Sequence, residues 1–413
     1  MLARTGEGTY PNPMPVDRAL LLRTVDEIGE EIVALSTKIH QNPELSLEEH
    51  QASGWIAECV EGLTGLEVER GLAGMPTAFR ARAQSSAHPR IAILAEYDAL
   101  PELGHACGHN LIAGGAVGAF VALARRAREF QGSVELIGTP AEENGGGKIR
   151  LLKAGVFEGV DAAMMFHPFD RDLVAHPTLS SVRLRAVFRG TPAHAAFAPW
   201  DGKSALTACL DTFRLVDGQR VHFHDGVRVY GIVTEGGQAP NVIVERAACE
   251  FSVRARTTAE LEPVVAAVTR CMRAGALASD VEVEITRENG YREMLNNLTI
   301  GERFGLALKR LGRSPQLTDP KIGAASTDMG DVSQAVPAIH PWLGICDPGE
   351  TLCHEHAFAA CACSPRGFES MLIAAKALAE TAVDLIEDPG LIERARSEHR
   401  AARVSHGVKD AAD

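Results

Sequence analysis

No hydrophobic run in this sequence approaches the length that a membrane-spanning helix needs. The opening residues, Met1-Leu2-Ala3-Arg4-Thr5-Gly6-Glu7-Gly8, lack a basic segment followed by an apolar stretch, so no secretory leader is expected. Positive charge is in short supply. The 41 Lys and Arg stand against 54 Asp and Glu, and the net charge of −13 speaks against a nucleic-acid or anionic-membrane partner. A disulfide framework is missing as well. The nine cysteines are odd in number and scattered, and Cys361-Ala362-Cys363 is too tight a pair to serve as a staple, so a reducing cytoplasm is the expected location. Internal repeats and low-complexity segments are also absent. What is present is a globular composition, 46% hydrophobic and 23% charged over 413 residues. That is more chain than one core normally organises, and two domains are expected.

Residues 1–15, with Pro11, Pro13 and Pro15, read as an unstructured lead-in. Leu20, Leu21, Val25, Ile28, Ile32, Leu35 and Ile39 recur at helical spacing and predict a helix over residues 17–40. Pro43 interrupts it, and Ser46 with Glu49 three residues later has the form of a capping box that opens a second helix to about residue 63. Strand patterns at residues 77–83, 90–96, 133–138 and 161–166 then alternate with helical patterns at 111–130 and 147–154. That alternation marks a mainly parallel sheet covered by helices. From about residue 179 the pattern changes, and Val182-Arg183-Leu184-Arg185-Ala186-Val187-Phe188 alternates as a sheet with one wet face does. The order strand, helix, strand, strand, helix, strand through residue 286 is ferredoxin-like. The expected architecture is therefore α/β: a catalytic domain over residues 1–178 and 291–413, with an α+β domain inserted over 179–290. A last helix is expected at 367–386, before a charged tail.

Candidate chemistry gathers just beyond the strands, where open α/β sheets bind their ligands. Glu96 and Asp98 follow one strand, Glu142 and Glu143 another, and His167 a third. Between the first two lies Gly104-His105-Ala106-Cys107-Gly108-His109-Asn110, which sets a thiol and an imidazole two residues apart on a Gly-rich turn. An isolated Cys-x-His more often means a buried structural cysteine beside a surface histidine. Likewise a Glu-Glu pair is usually a solvated turn, and a lone His at a strand end is usually a satisfied core residue. Convergence of all of them on one sheet edge turns the balance toward a metal centre, with Cys and His as donors for a borderline ion. Adjacent carboxylates on an irregular turn can divide labour, one binding metal and the other taking a proton from water. Leu352-Cys353-His354-Glu355-His356-Ala357-Phe358 offers one more imidazole, and spacing alone does not choose between His354 and His356.

Glu96-Tyr97-Asp98-Ala99-Leu100-Pro101, His105-Ala106-Cys107-Gly108-His109-Asn110, Pro140-Ala141-Glu142-Glu143 and Thr191-Pro192-Ala193-His194-Ala195 together resemble the M20 metallopeptidase and amidohydrolase family. The likeness is to its aminoacylase-like subfamily D, and it runs from about residue 20 to 390. Ser326-Thr327-Asp328-Met329-Gly330-Asp331-Val332-Ser333 is similar to the group of aminobenzoyl-glutamate hydrolases and the M20 dipeptidase-like proteins. The resemblance implies a catalytic domain carrying a lid and dimerisation domain. It also implies two divalent ions per subunit, manganese or zinc, shared by Cys107 and completed by His109, Glu143, His167 and His354. His354 is preferred because the family places its last ligand four residues before an aromatic, here Phe358. Glu142 would be the general base and Asp98 would orient a ligand. His194 would stabilise the oxyanion, reaching into a partner's site, while Asn241 and Arg254 would grip the substrate's polar end; for Arg254 a solvent-facing strand position is an equally good reading. Asn110 stands where many subfamily D members carry Asp.

The expectation is a metal-dependent hydrolase that cleaves the amide of an N-acyl or aroyl amino acid or a dipeptide, acting as a homodimer or larger homo-oligomer on a small-molecule substrate. Rival readings are hydrolytic deamination of an aromatic amine of the nitroanthranilate type at the same site, and a non-catalytic binding protein on the same fold. A retired site has no chemical need for both Glu142 and Glu143, which weighs against the last. A Cys107–His109 nucleophile pair has poor geometry two residues apart on a turn.

Overall fold

The computed structural model describes residues 15–288 and 290–407. All of the lead-in except Pro15, and the end of the charged tail, lie outside the described residues. The strands in chain order are β1 (Val68–Arg70), β2 (Phe79–Gln84), β3 (Arg90–Ala95), β4 (Ser133–Gly138), β5 (Ala162–Met164), β6 (His167–Phe169), β7 (Ser180–Arg189), β8 (Arg228–Glu235), β9 (Arg246–Ala255), β10 (Glu282–Arg287), β11 (Ala338–Ile339) and β12 (Trp342–Gly344). They divide between two compact units. Of the described residues, one unit comprises 15–176 with Asn296–Asp319 and Val336–His399; the other comprises Pro177–Leu295, Pro320–Ala335 and 400–407.

In the first unit six strands lie in the order β1-β2-β4-β3-β5-β11. The four from β4 to β11 are parallel, and β1 and β2 add an antiparallel edge. Buried on both faces, β3 and β4 are made of near-continuous apolar residues. The helix His109–Ala124 leaves the turn after β3, and all of its residues but the last are buried. Fully enclosed side chains such as Leu111, Val117, Phe120 and Val121 contribute about 1.5–3 kcal/mol each. That helix packs most heavily against Pro365–Glu387. Its small residues permit the closeness: a Cβ on Gly115 would come within 2.4 Å of Phe166 Cε1.

Three sequence patterns resolve differently in three dimensions. The long first helix is two, Arg18–Glu27 and Gly29–Gln41, joined at Ile28. The capping box does not form. The second helix begins at His50 with no side-chain cap, because Ser46 Oγ bonds to Asp98 and Glu49 Oε1 accepts from the backbone N–H of Ala141. Both residues are spent on the loops beyond the sheet. The apolar run at 161–166 also stops early: β5 ends at Met164, and β6 leaves the main sheet to pair in parallel with β12.

The second unit holds a four-stranded antiparallel sheet in the order β10-β7-β9-β8. Helices Ala205–Gln219 and Thr258–Ala278 pack on each other and on its apolar face, with side-chain caps from Ser204 and Thr257. The second unit's sheet, with its strand and helix order, is the ferredoxin-like arrangement. Its core, which includes Leu184, Phe188, Phe251 and Met272, is separate from that of the first unit.

Two glycine substitutions test this packing. Gly115→Val forces Phe166 aside and is expected to cost about 1–3 kcal/mol. Gly54→Ala, in helix His50–Thr64 with open space at its Cβ, is expected to add about 0.5–1 kcal/mol. Urea unfolding curves measure both.

Candidate metal centre

Asp98 ties three distant segments together. Its carboxylate accepts from Ser46 Oγ at 2.8 Å, from the backbone N–H of Glu143 at 2.9 Å and from His109 Nδ1 at 2.9 Å. Burial alone would raise its pKa, but the His109 interaction and these donors hold it at about 2. The turn that presents Cys107 and His109 needs its glycine: Gly108 has φ 77°, and a Cβ there would lie 2.9 Å from Pro168 Cγ. Ala141 and His354 adopt positive φ without being glycine, at 62° and 73°. Strained backbone of this kind persists where surrounding bonds over-determine it, and the His354 N–H is anchored on Ala106 O at 2.8 Å.

Cys107 Sγ lies 3.5 Å from His167 Nε2 and 3.8 Å from His354 Nε2. Glu143 Oε2 lies 3.6 Å from His354 Nε2, and its Oε1 is 4.0 Å from His109 Nε2. Three overlapping donor groups result, each with its atoms within 4.8 Å of one another: Cys107, His109 and His167; Cys107, Glu143 and His354; His109, Glu142 and Glu143. Cys107 belongs to two of them. Five of the six residues are buried or nearly so, whereas His354 is exposed at the rim. His356 instead opens the helix His356–Cys361.

Hydrogen bonding sets the direction of each donor. His167 Nδ1 bonds Pro168 O at 2.7 Å and His109 Nδ1 bonds Asp98, so each ring turns the lone pair of Nε2 into the cluster. Burial and neighbouring His109 press the His167 pKa down to about 4. His109 is moved the other way; burial opposes charge, but Asp98, Glu96 and Glu143 together raise it. A hydrogen bond with Cys353, burial and the nearby Glu143 raise Cys107, and burial raises Glu143. These shifts describe a cluster in which acceptor atoms crowd together. His109 Nε2, Glu96 Oε2 and Glu143 Oε1 are all buried without a hydrogen-bond partner among the described residues. A cation satisfies such a set, and the mixture of thiolate, imidazole and carboxylate suits a borderline divalent ion.

The remaining sequence candidates lie on the second unit. His194 is exposed on the loop after β7, and its Nδ1 accepts from the backbone N–H groups of Ala196 and Phe197 at 3.3 and 3.1 Å. The neutral ring therefore carries its proton on Nε2, as an outward donor. Asn241 is exposed in the neighbouring loop and its carbonyl receives the Ala195 N–H at 2.9 Å. Arg254, exposed on β9, stands opposite Arg228 on β8 and has no ion-pair partner among the described residues.

Three buried groups escape a reading of the sequence. Lys148 is fully buried and ion-paired to Glu96 Oε1. His340, fully enclosed with neither ring nitrogen bonded, lies 5.4 Å from the His167 ring. Glu49 is buried against Ala141, and burial with nearby Asp98 lifts its pKa to about 7. For His340 a signal does exist: Ile339-His340-Pro341 repeats the apolar-His-Pro pattern of Phe166-His167-Pro168. For Lys148 there is none, since a lysine near a helix start reads as solvent-facing.

Comparison with known proteins places this geometry in context. The chain is 37% identical to mouse Xaa-Arg dipeptidase over 91% of this chain and 90% of the relative. It is 27% identical to one of the subunits of the p-aminobenzoyl-glutamate hydrolase of Escherichia coli K12, over 89% of this chain and 91% of that protein. Among solved structures, a Bacillus subtilis protein described as a dinuclear metal-binding peptidase of the M20 family superposes with a TM-score of 0.68 at 23% identity, covering 88% of this chain and 99% of that one. The family model for peptidase family M20/M25/M40 matches residues 92–384. With that match spanning both halves of the cluster and both units of the fold, the chain belongs to peptidase family M20/M25/M40.

Proposed function

We propose that this M20 hydrolase cleaves the C–N amide bond of a dipeptide or an N-acyl or aroyl amino acid, with two divalent ions, manganese or zinc, per subunit. The observation that carries the reading is the sharing of Cys107 between two donor groups, with Glu142 beside His109 and Glu143 in a third. Cys107 would serve both ions, and His109, Glu143, His167 and His354 would complete their shells. Bound there, the ions supply Lewis acidity, acidifying water and polarising a carbonyl.

The protein's own residues do the rest. Asp98 keeps His109 in the tautomer that offers Nε2. Glu142 accepts a proton from the attacking water as its oxygen bonds to the carbonyl carbon. It then returns that proton to the nitrogen as the C–N bond breaks, so an amine and a carboxylic acid leave. His194, already held as an Nε2–H donor, bonds the developing oxyanion. Arg254, with no ion-pair partner among the described residues, and Asn241 would receive the substrate's carboxylate end. In this reading the second unit acts as a lid and dimerisation domain, and His194 would serve a partner's site in a homodimer. No helix among the described residues is long and apolar enough to cross a membrane, and a cytoplasmic location is proposed with the rest.

The relatives support the amide bond over the alternatives. One is a dipeptidase and another belongs to a hydrolase of aminobenzoyl-glutamate, both matched along about nine-tenths of their length. Product analysis by mass spectrometry tests the reading on manganese- or zinc-loaded enzyme with dipeptides, N-acyl amino acids, aroyl-glutamates and aminobenzoates. Release of a free amino acid is expected. Ammonia with a hydroxylated ring would make the enzyme a deaminase instead.

Two variants test the assigned roles. Glu142→Gln should keep its metal content, by elemental analysis, while turnover falls roughly 10²–10⁴-fold. His194→Ala should lower kcat by roughly 10²–10³ with metal content unchanged. Chelation should abolish activity in the wild-type protein, and added manganese or zinc should restore it.

A further inference from the structure

Glu142, the general base of the proposed reaction, sits on a loop whose backbone is anchored on either side of it. The residue after it, Glu143, donates its N–H to Asp98 Oδ2 at 2.9 Å. The residue before it, Ala141, donates its N–H to Glu49 Oε1 at 2.8 Å, across 92 residues of sequence. Ala141 has φ 62° without being glycine, a conformation that persists where its surroundings enforce it. Its carbonyl accepts the Gly147 N–H at 3.3 Å, a bond internal to the same loop. Glu49 is fully buried, and its other oxygen, Oε2, has no hydrogen-bond partner among the described residues. A buried carboxyl with one oxygen unmet, and with Asp98 near enough to repel its charge, is costly as a purely structural element. What it contributes is the position of one N–H.

We propose that Glu49 is a positioning residue for the reaction, holding Ala141 in its left-handed turn so that the Glu142 carboxylate meets the attacking water. The inference rests on the general-base reading of Glu142 above. The bond acts on Glu142 rather than on Glu143, because Asp98 holds the N–H of Glu143 itself, whereas the Glu49 bond lies one residue ahead of Glu142. An alanine released from that bond relaxes toward negative φ, and a rotation there swings the side chain that follows. Ser46, from the same segment as Glu49, takes the Asn144 N–H at 3.2 Å. Glu49, Asp98 and Ser46 thus fix the N–H groups of Ala141, Glu143 and Asn144, and Glu142 stands between the first two. The anchor needs an acceptor and not a charge. Burial and Asp98 raise the Glu49 pKa to about 7, and a proton on Oε2 leaves Oε1 a carbonyl oxygen that still accepts.

Steady-state kinetics on the full-length, metal-loaded protein test the role, with Glu142→Gln as the second site of a double-mutant cycle. Glu49→Leu removes the acceptor and is expected to lower kcat about 10–100-fold, with KM unchanged and metal content, by elemental analysis, unchanged. Glu49→Gln keeps a carbonyl oxygen at the same reach and is expected to recover most of that loss. In the Glu142→Gln background, Glu49→Leu should cost little more, because the side chain it positions is already disabled. If Glu49→Leu does not fold, as judged by circular dichroism, Glu49→Asp carries the test. Its carboxylate is a methylene shorter, and the same fall in kcat is expected, again with little further loss beside Glu142→Gln. Equal factors of loss in both backgrounds would overturn the proposal, as would a wild-type kcat in the folded variant. A Glu49→Gln variant as impaired as Glu49→Leu, or a loss of metal in step with kcat, would overturn it too. Wild-type activity in Glu142→Gln alone would instead overturn the general-base reading.

Discussion

The hydrogen bonds to the Asp98 carboxylate are the constraint on which the rest of this site depends. One side chain, placed just past a central strand, receives Ser46 from the N-terminal helices, Glu143 from the loop after β4, and His109 from the first turn of the buried helix. Each bond has a separate consequence. The bond to His109 decides which ring nitrogen is left facing the donor cluster. The bond to the Glu143 backbone fixes the loop that carries Glu142 and Glu143. Ser46 closes the ring from outside by also accepting the Asn144 N–H at 3.2 Å. An acid held near a pKa of about 2 keeps this role across the whole physiological range.

Around that anchor the fold divides rigidity from reach. Cys107, His109, Glu143 and His167 stand on the edge of a sheet whose strands and central helix are buried. His354 lies on a strained, exposed turn, tied back to the cysteine loop through Ala106. On the second unit, His194 is preorganised in a different way: two backbone N–H groups choose its tautomer, so it can donate without first losing or moving a proton. Preorganisation of this kind is what makes a hydrogen-bond donor effective at a developing oxyanion.

Much of this is legible from the residues. The polar groups beyond consecutive strands, the ferredoxin-like order of the inserted unit and the Gly-flanked cysteine turn are all local patterns, and the structure contains them. Less legible are residues whose local pattern points elsewhere. Ser46 and Glu49 have the spacing of a helix cap, but tertiary partners at Asp98 and Ala141 claim them. Lys148 and Glu96 look like a surface lysine and one more acid at a strand end, and only burial makes them a pair. Periodicity reports which way a side chain faces. It does not report whether a polar side chain facing inward has a partner there, which Glu96 finds in Lys148 and which the His340 ring lacks among the described residues.

The central claim is that two ions share Cys107 at the edge of this sheet. Anomalous diffraction from crystals grown with manganese, collected above and below the manganese edge, tests it most directly. The account predicts two anomalous peaks, both within bonding distance of Cys107 Sγ, one beside His109 and His167 and the other beside Glu143 and His354. A single peak, or peaks that do not touch Cys107, would contradict it.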